Sequence, residues 1–401
     1  MKKIKLGRYT TLSFGSSYRF QSELFINEEF SREEDQNDIW FLHRLQLHSH
    51  LKFSDNFEVF AELNSSLIDR KKDRSPVDKD ELSIHQLFAK YQFADNWNVL
   101  VGRQNLRLGS GRLVDIREGP NVRLSFDMGQ IQFKDENTDI RALHAIPVVV
   151  EEGVFDNDAL NTTESLTALY WTQYWKNQTN TDIYALYKKE ENKIWTANSA
   201  TDRRFSFGVR HFGKWKGLTY NNEFVYQIGS FGRQTINAYT ASFNLEYPVN
   251  LIGKEGVLGL KTEVVSGDRS DTDNEVNTFD GLYPRSAYFG RVARIGPSNL
   301  IDIHPYYNTQ IGGFLLEVDY VAFWRFSLDD GVYGPSLNLQ YPPVNNRFFI
   351  GHQFGALTVF EVNTFLSFEF ETNVIIPGAF LSQSNLDDTL FHAVFTAEFK
   401  F

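Results

Sequence analysis

The sequence contains no cysteine and only two methionines among its 401 residues. A chain without thiols suits an oxidising compartment, in which stray thiols would cross-link. No stretch approaches the ~18 consecutive apolar residues that a transmembrane helix requires, so the pattern excludes a helical membrane protein. The formal net charge of −11 argues against general nucleic-acid binding. Residues 1–8 are basic, as at the start of an export signal, but no apolar segment follows; we therefore expect a mature chain whose signal has been removed.

Aromatic residues, in contrast, are abundant: they make up 15% of the chain, with 36 Phe and 18 Tyr, although the mean hydropathy is only −0.37. They stand singly and alternate with polar residues. Successive side chains of a β-strand point to opposite faces. This alternation is what a wall needs when one face meets water and the other meets lipid.

Alternation is clearest in residues 57–64, 218–228 and 314–326. From Leu218 to Ile228 the even positions are mostly aromatic or aliphatic, whereas the odd positions include Thr219, Asn221 and Glu223. Helical periodicity is nowhere comparable. The sequence therefore predicts an all-β chain.

Connections of two lengths separate these segments. The short ones are 54–56, 94–96, 176–180, 213–217, 309–313 and 362–364; the long polar ones are 25–38, 70–81, 106–120, 151–164, 190–201, 266–299, 327–347 and 377–388. Counting through gives about 18 strands, an even number, as in single-chain bacterial barrels. We predict one domain, residues 1–401, forming a membrane-spanning antiparallel β-barrel with short periplasmic turns, long extracellular loops and periplasmic termini.

The segment Thr389–Phe401 favours this barrel over soluble alternatives. Its odd positions from Phe391 to Phe401 are Phe or Ala, and the even positions include His392, Glu398 and Lys400. Such an edge strand would promote aggregation of a soluble protein, whereas barrel closure removes the edge. A β-propeller would show a repeat of ~40–50 residues, and a pair of β-sandwiches would need a linker; neither is visible.

The inward faces of the predicted strands are ionic. In the second strand, Arg44, Gln46, His48, His50 and Lys52 point into the lumen. For any single residue, solvated lining is the simpler interpretation. His48 and His50 share a face, but no third metal ligand accompanies them.

Residues 102–127 hold five arginines in a Gly- and Pro-containing stretch that cannot continue a regular strand easily. We expect this stretch to fold into or across the mouth of the barrel. Arginine binds carboxylates with two parallel hydrogen bonds, so the series indicates a path for acidic solutes. Alternatively, the arginines pair with Asp115, Glu118 and Asp127 and lock a constriction; the two interpretations are compatible.

Two blocks resemble the alginate export family. The first contains Gly102-Arg103-Gln104, Gly109, Arg112-Leu113-Val114, Arg117-Glu118-Gly119-Pro120-Asn121-Val122-Arg123 and Ser125-Phe126-Asp127; the second contains Phe279-Asp280-Gly281-Leu282-Tyr283-Pro284-Arg285, Tyr288-Phe289-Gly290 and Asn299-Leu300-Ile301-Asp302. The resemblance implies an 18-stranded outer-membrane barrel that passes alginate, a polyuronate, through an arginine-rich constriction. It also implies the constriction residues Arg44, Arg103, Arg112, Arg117, Arg123, Glu118 and Asp127, and an extracellular gate in loop 70–81.

Two features depart from the family pattern. The turn near 362–366 is short, so we expect no periplasmic plug from it. Alternation from Trp97, Val99 and Val101 would place Arg103 on the lipid side, at a cost of ~2–4 kcal/mol in mid-membrane. We therefore expect either a bulge near Gly102 or a strand end above the bilayer.

The favoured function is an outer-membrane channel for anionic, uronate-like polysaccharide or other acidic solutes; the alternative is a general diffusion porin. An enzyme is disfavoured because no nucleophile and base stand in a recognisable motif, and we expect no cofactor. Asp268, Asp271 and Asp273 only loosely match a calcium loop. The expected partners are membrane lipid and the solute, with no nucleic acid. The sequence leaves open whether periplasmic export or scaffold proteins take part.

Overall fold

A computed structural model describes residues 2–31, 37–176, 178–195, 198–251, 253–270 and 272–401. The strands are β1 Lys2–Lys5, β2 Thr11–Ile26, β3 Asp38–Lys52, β4 Phe57–Asp69, β5 Asp80–Ala94, β6 Trp97–Gln104, β7 Phe126–Lys134, β8 Thr138–Pro147, β9 Glu164–Tyr174, β10 Thr179–Trp195, β11 Asn198–Trp215, β12 Leu218–Phe231, β13 Gln234–Leu251, β14 Lys254–Val265, β15 Glu275–Val276, β16 Leu300–Ile311, β17 Phe314–Arg325, β18 Val332–Tyr333, β19 Leu339–Tyr341, β20 Phe349–Glu361, β21 Leu366–Pro377 and β22 Leu390–Lys400. One short helix, α1, spans Ala379–Ser382. Within these ranges, no helix has the length and apolarity to cross a bilayer, a criterion that does not bear on β-barrels.

Eighteen of the strands form a closed antiparallel barrel, as the alternation predicted. Each strand pairs with the next, and β22 closes the cylinder on β2 from Ser17↔Lys400 to Ile26↔Phe391. The strands outside this count are β1, β15, β18 and β19. Closure pairs both edges of the sheet, so the aromatic C-terminal strand has a partner on each side.

The short strand β1 continues the ladder at the barrel seam. β22 reaches only as far as Ser16, whose N–H donates to the carbonyl of Phe401 at 2.9 Å. Below that point β1 pairs with residues 11–14 of β2, from Lys2↔Phe14 to Lys5↔Thr11. The N-terminal residues thus supply backbone partners where the last strand has ended.

The connections differ in length at the two ends of the barrel, as predicted. The turn end has short links such as 95–96, 216–217 and 312–313, and β20 is joined to β21 by residues 362–365. The other end, the loop end, carries the long connections. One predicted loop is wrong: residues 190–201 mostly continue β10 and β11, which extend to Trp195 and from Asn198. The polar composition of these residues predicted a loop, but a strand that projects beyond the bilayer is also polar on both faces.

Outward and inward faces alternate as the sequence indicated. In β11, Phe205, Phe207 and Val209 are exposed on the outer wall, whereas Arg204 and Arg210 are buried inside. Exposed aromatic side chains encircle the turn end of the wall, where the barrel meets the membrane interface. They include Phe53, Tyr91, Phe93, Trp97, Trp175, Trp215, Tyr247, Phe314, Phe365 and Phe399.

The buried core lies inside the barrel because two long connections fold into the lumen. These are residues 105–125, between β6 and β7, and residues 277–299, between β15 and β16. Their apolar side chains bury against the inner wall: Leu106, Leu108, Leu113, Val114, Phe279, Leu282, Tyr283 and Phe289. The two segments also join each other, since Tyr283 N donates to Leu113 O at 2.8 Å and Asp115 N donates to Tyr283 O at 2.9 Å. Together they form the inserted segments that shape the lumen.

Candidate functional site: the lumen constriction

The first inserted segment, residues 105–125, crosses the lumen with the help of glycine. Gly109 has φ +54°, and a Cβ added to it would lie 2.1 Å from the hydroxyl of Tyr170 on the barrel wall. Glycine adopts this conformation at little cost, and only a residue without a Cβ allows this close approach. The turn of residues 109–111 therefore lies directly against the wall. The expectation that this stretch folds into the barrel is met by its geometry.

Glu118 is the centre of one cluster in the segment. Its carboxylate pairs with Arg44 of β3 and with Arg123, whose Nε and Nη2 both approach it at 2.6 Å. Arg123 also donates to Gln46 at 2.9 Å. Arg44 is only 2% exposed, whereas the Glu118 side chain is 49% exposed. Three of the residues chosen from sequence thus meet in the lumen, and the open side of the cluster is its carboxylate.

Two further arginines extend this cluster, and sequence reasoning missed both. Arg19 on β2 lies opposite Arg44 in the register of β2 and β3. It donates to the backbone carbonyls of Glu118 and Pro120, at 3.0 and 3.2 Å. Arg291, from the second inserted segment, pairs with Glu369 at 2.6 Å and donates to Gln21 at 3.0 Å. Alternation could have found Arg19, because its neighbours Tyr18 and Phe20 point outward. Arg291 lies in irregular chain, where no periodic signal exists.

Arg112 lies in a separate cluster on the opposite side of the segment. It pairs with Glu263 of β14 and lies 3.4 Å from Glu223 of β12, and it donates to the hydroxyl of Tyr288. Tyr288 in turn donates to Glu263 at 2.5 Å. The charge of a buried cation is compensated when it lies between two carboxylates. Arg112 therefore ties both inserted segments to the barrel wall.

Arg117 differs from these residues because, within the described chain, it makes no ion pair. Its φ is 55°, and its Nε donates to the carbonyl of Pro284 at 3.3 Å. Arg285, the next residue after Pro284, donates to a backbone acceptor, Ser110 O, at 2.6 Å, and it too makes no ion pair within the described residues. Arg117 lines an internal cavity of about 240 Å³ beneath loop 70–79 and beside Gly119 and Ser286. Its terminal guanidinium nitrogens can therefore donate to a solute.

Arg103 and Asp127 do not join the lumen cluster. They form a bidentate ion pair of 2.8 and 2.9 Å, and they face each other across β6 and β7. The ladder runs without a shift through Gly102, so alternation places Arg103 on the same outward face as Val101 and Leu87. This corrects their expected position in the constriction. The sequence analysis expected either a bulge near Gly102 or a strand end. The bulge is wrong, and Arg103 lies at the loop end of β6.

Loop 70–79, the expected gate, packs on the inserted segment. Val122 N donates to Val77 O at 2.8 Å, and Asn121 Nδ2 donates to Asp78 O at 3.0 Å. Lys71 and Asp78 form an ion pair of 2.8 Å within the loop. The loop therefore closes one side of the cavity that Arg117 lines. Any gating movement would have to break these contacts.

The weak calcium candidates Asp268 and Asp273 accept backbone N–H groups. Asp268 Oδ1 accepts backbone N–H groups of Arg269 and Asn277, Asp273 caps the backbone of Glu275, and Asp271 lies outside the described residues. Burial, with the nearby Asp330 carboxylate, raises the pKa of Asp268 to about 6. No group of three or more metal-ligating side chains occurs in the described parts of the chain.

The chain is similar to known proteins in sequence and in fold. A sequence profile described as alginate export matches residues 10–391, nearly the whole chain. The chain belongs to the alginate export family. No curated protein sequence matches it significantly.

Solved structures share its fold. Pseudomonas aeruginosa OccK11 (OpdR) superposes with a TM-score of 0.63 at 10% identity, covering 98% of this chain and 96% of that chain. OpdQ of the same organism superposes with a TM-score of 0.65 at 9% identity, covering 98% of this chain and 97% of that chain. OccK5 (OpdH), also from this organism, superposes with a TM-score of 0.63 at 10% identity, covering 97% of this chain and 98% of that chain. Identities this low show the fold alone. Together with this fold, membership of the family makes the chain an outer-membrane β-barrel channel of bacteria.

Proposed function

We propose that this channel passes acidic solutes, with uronate-like saccharides as the substrate class. The observation that carries the proposal is Arg117, a lumen guanidinium without a carboxylate partner in the described chain, which lines an internal cavity. A guanidinium with spare donors binds a carboxylate by two parallel hydrogen bonds and stays charged at any relevant pH. Arg117 therefore offers a contact to an acidic solute inside the barrel.

The clusters on either side provide further contacts. Arg285 lines a second cavity, of about 90 Å³, together with the cations Lys261 and Arg112 and the carboxylates Glu263 and Asp302. A carboxylate that leaves Arg117 can therefore meet other cations toward the turn end. Passage needs several weak sites rather than one tight site, because a solute that binds too strongly cannot leave.

Glu118 supports the same substrate class chemically. It is a half-exposed carboxylate held by Arg44 and Arg123. A uronate carboxylate has the same charge and the same pair of oxygens, so it can compete for these two arginines without a net loss of ion pairs. The pairing that holds the segment in place is thus compatible with exchange.

A general diffusion porin is the alternative, and a specific observation favours it. Most lumen arginines are already neutralised: Arg112 by Glu223 and Glu263, and Arg291 by Glu369 and Glu371. A balanced lumen of this kind would shape a water-filled hole with little preference for either sign of charge.

Single-channel recording distinguishes the two functions. The full chain in planar bilayers is exposed to oligouronates and, separately, to neutral oligosaccharides of the same length. An acidic-solute channel shows concentration-dependent current block by the uronates only. Equal block by both, or block by neither, would favour the general porin.

A further inference from the structure

The outer wall carries a pocket of aromatic and polar side chains at the turn end, away from the lumen. It is a shallow depression of about 1060 Å³ across β9 to β12, lined by Trp175, Lys176, His211, Trp215 and Tyr220 among others. Trp175 and Trp215 are 52% and 60% exposed. This level belongs to the aromatic girdle, which marks the membrane interface. The pocket therefore faces the headgroups of the inner leaflet.

Hydrogen bonds link the polar groups of the pocket into one chain. Trp175 Nε1–H donates to Thr181 Oγ1 at 3.1 Å, Thr181 Oγ1 lies 3.0 Å from His211 Nδ1, and His211 Nε2 lies 3.0 Å from the Tyr220 hydroxyl. With the ring proton on Nε2, Thr181 donates to the ring and the ring donates to Tyr220. In that tautomer the hydroxyl hydrogen of Tyr220 has no acceptor among the described residues, and Tyr220 lines the pocket. At a lipid interface such a donor needs an acceptor from outside the wall.

Lysines supply positive charge at the same place. Lys176 lies in the pocket, and the ammonium of Lys216 lies 5.0 Å above the ring of Trp215. Neither lysine makes an ion pair within the described residues. Asp135, two residues before the pocket residue Asn137, accepts the backbone N–H groups of Asn137 and Thr138 with its Oδ1, each at 2.8 Å. Two unpaired cations, one free donor and two exposed indoles match a phosphate headgroup with its glycerol and upper acyl chains.

We infer that this pocket binds an anionic phospholipid of the inner leaflet. The phosphate lies between Lys176 and Lys216 and accepts the Tyr220 hydroxyl, and the acyl chains run along the exposed indoles. Lysines near a membrane surface attract anionic lipid by about 1 kcal/mol each. The inference is independent of the solute that the channel conducts.

Native mass spectrometry of the delipidated full chain tests this assignment. Phosphatidylglycerol is the probe, and diacylglycerol with the same acyl chains is the phosphate-free comparison. We expect the double variant Lys176→Gln, Lys216→Gln to bind phosphatidylglycerol about thirtyfold more weakly. Tyr220→Phe, which keeps the ring and removes the donor, weakens it by a smaller factor.

Lys254→Gln is the matched control, because Lys254 is an exposed turn-end lysine on β14, away from the pocket. It should bind phosphatidylglycerol as the unaltered chain does, and diacylglycerol should bind weakly and equally to every protein. The assignment is overturned if the double variant matches Lys254→Gln, or if diacylglycerol binds the unaltered chain as tightly as phosphatidylglycerol. In the latter case the pocket would be an apolar lipid contact only.

Discussion

Neutralising Arg117 should lower anion selectivity more than neutralising any paired lumen arginine. In Arg117→Gln the amide can still donate to Pro284 O, so the inserted segment keeps its backbone contact while the cation is lost. The substitution places no new demand on the backbone, because both residues carry a Cβ at the same φ of 55°. The change is therefore one of charge at a fixed position.

The size of the effect follows from Coulomb's law. A unit charge about 6 Å from a passing ion contributes about 0.7 kcal/mol at the dielectric constant of water and about 2.8 kcal/mol at an effective value near 20. Loss of Arg117 removes an attraction for anions and a repulsion for cations, so both terms change the permeability ratio. Even the smaller value predicts about a tenfold fall in anion-over-cation permeability.

Reversal potentials in planar bilayers under a salt gradient measure this ratio. Arg203→Gln is the control, because Arg203 lies on the exposed outer face of β11 and its loss changes the net charge of the chain equally. An unchanged ratio in Arg117→Gln, or an equal fall in Arg203→Gln, would refute the argument that a lumen guanidinium selects the solute.

Three other outcomes are expected. Glu118→Gln frees the two arginines that it pairs, so anion selectivity should rise in the same recordings; a fall would mean that the carboxylate only holds the segment in place. Asp280→Asn removes a carboxylate 3.6 Å from the buried Lys188. Because two other carboxylates still pair with that lysine, the loss of folding stability should be about 1–3 kcal/mol. It should be seen as a lower melting temperature and a noisier open-channel current. Asp268 has a raised pKa of about 6, so its ionised form destabilises the folded loop. Protection of residues 266–278 from hydrogen exchange, corrected for intrinsic rates, should therefore increase as the pH falls from 7.5 to 5. The variant Asp268→Asn should abolish that increase.

The barrel itself was predictable because its physics is local. Lipid on one side and water on the other impose a period of two on every spanning strand, and a one-residue slip would reverse all its side chains. The same rule gave the inward position of Arg44 and predicted the outward position of Arg103, which the intact ladder at Gly102 shows. The prediction of a loop at residues 190–201 failed because strands that project beyond the bilayer no longer have lipid on one face and water on the other.

The site was predictable only in part because its partners come from different segments. Composition identified the arginines of residues 102–127 and the acids near them, but it could not assign Arg112 to Glu223 and Glu263, more than a hundred residues away. Arg291 gave no signal at all, since irregular chain has no period from which direction can be inferred. Pairings of this kind depend on how two connections meet in three dimensions.

The meeting of the two inserted segments also explains why so many lumen arginines are paired. A long connection pays conformational entropy to lie ordered in a water-filled barrel, about 1–2 kcal/mol for each residue fixed. Residues 105–125 and 277–299 recover this through their buried apolar side chains, through the backbone bonds between Leu113, Asp115 and Tyr283, and through ion pairs to the wall. Arginines used in this way are structural. Under the proposed function, selectivity then depends on the few cations left over. Arg117 is available for this role because its position is held by Pro284 O rather than by a carboxylate in the described chain.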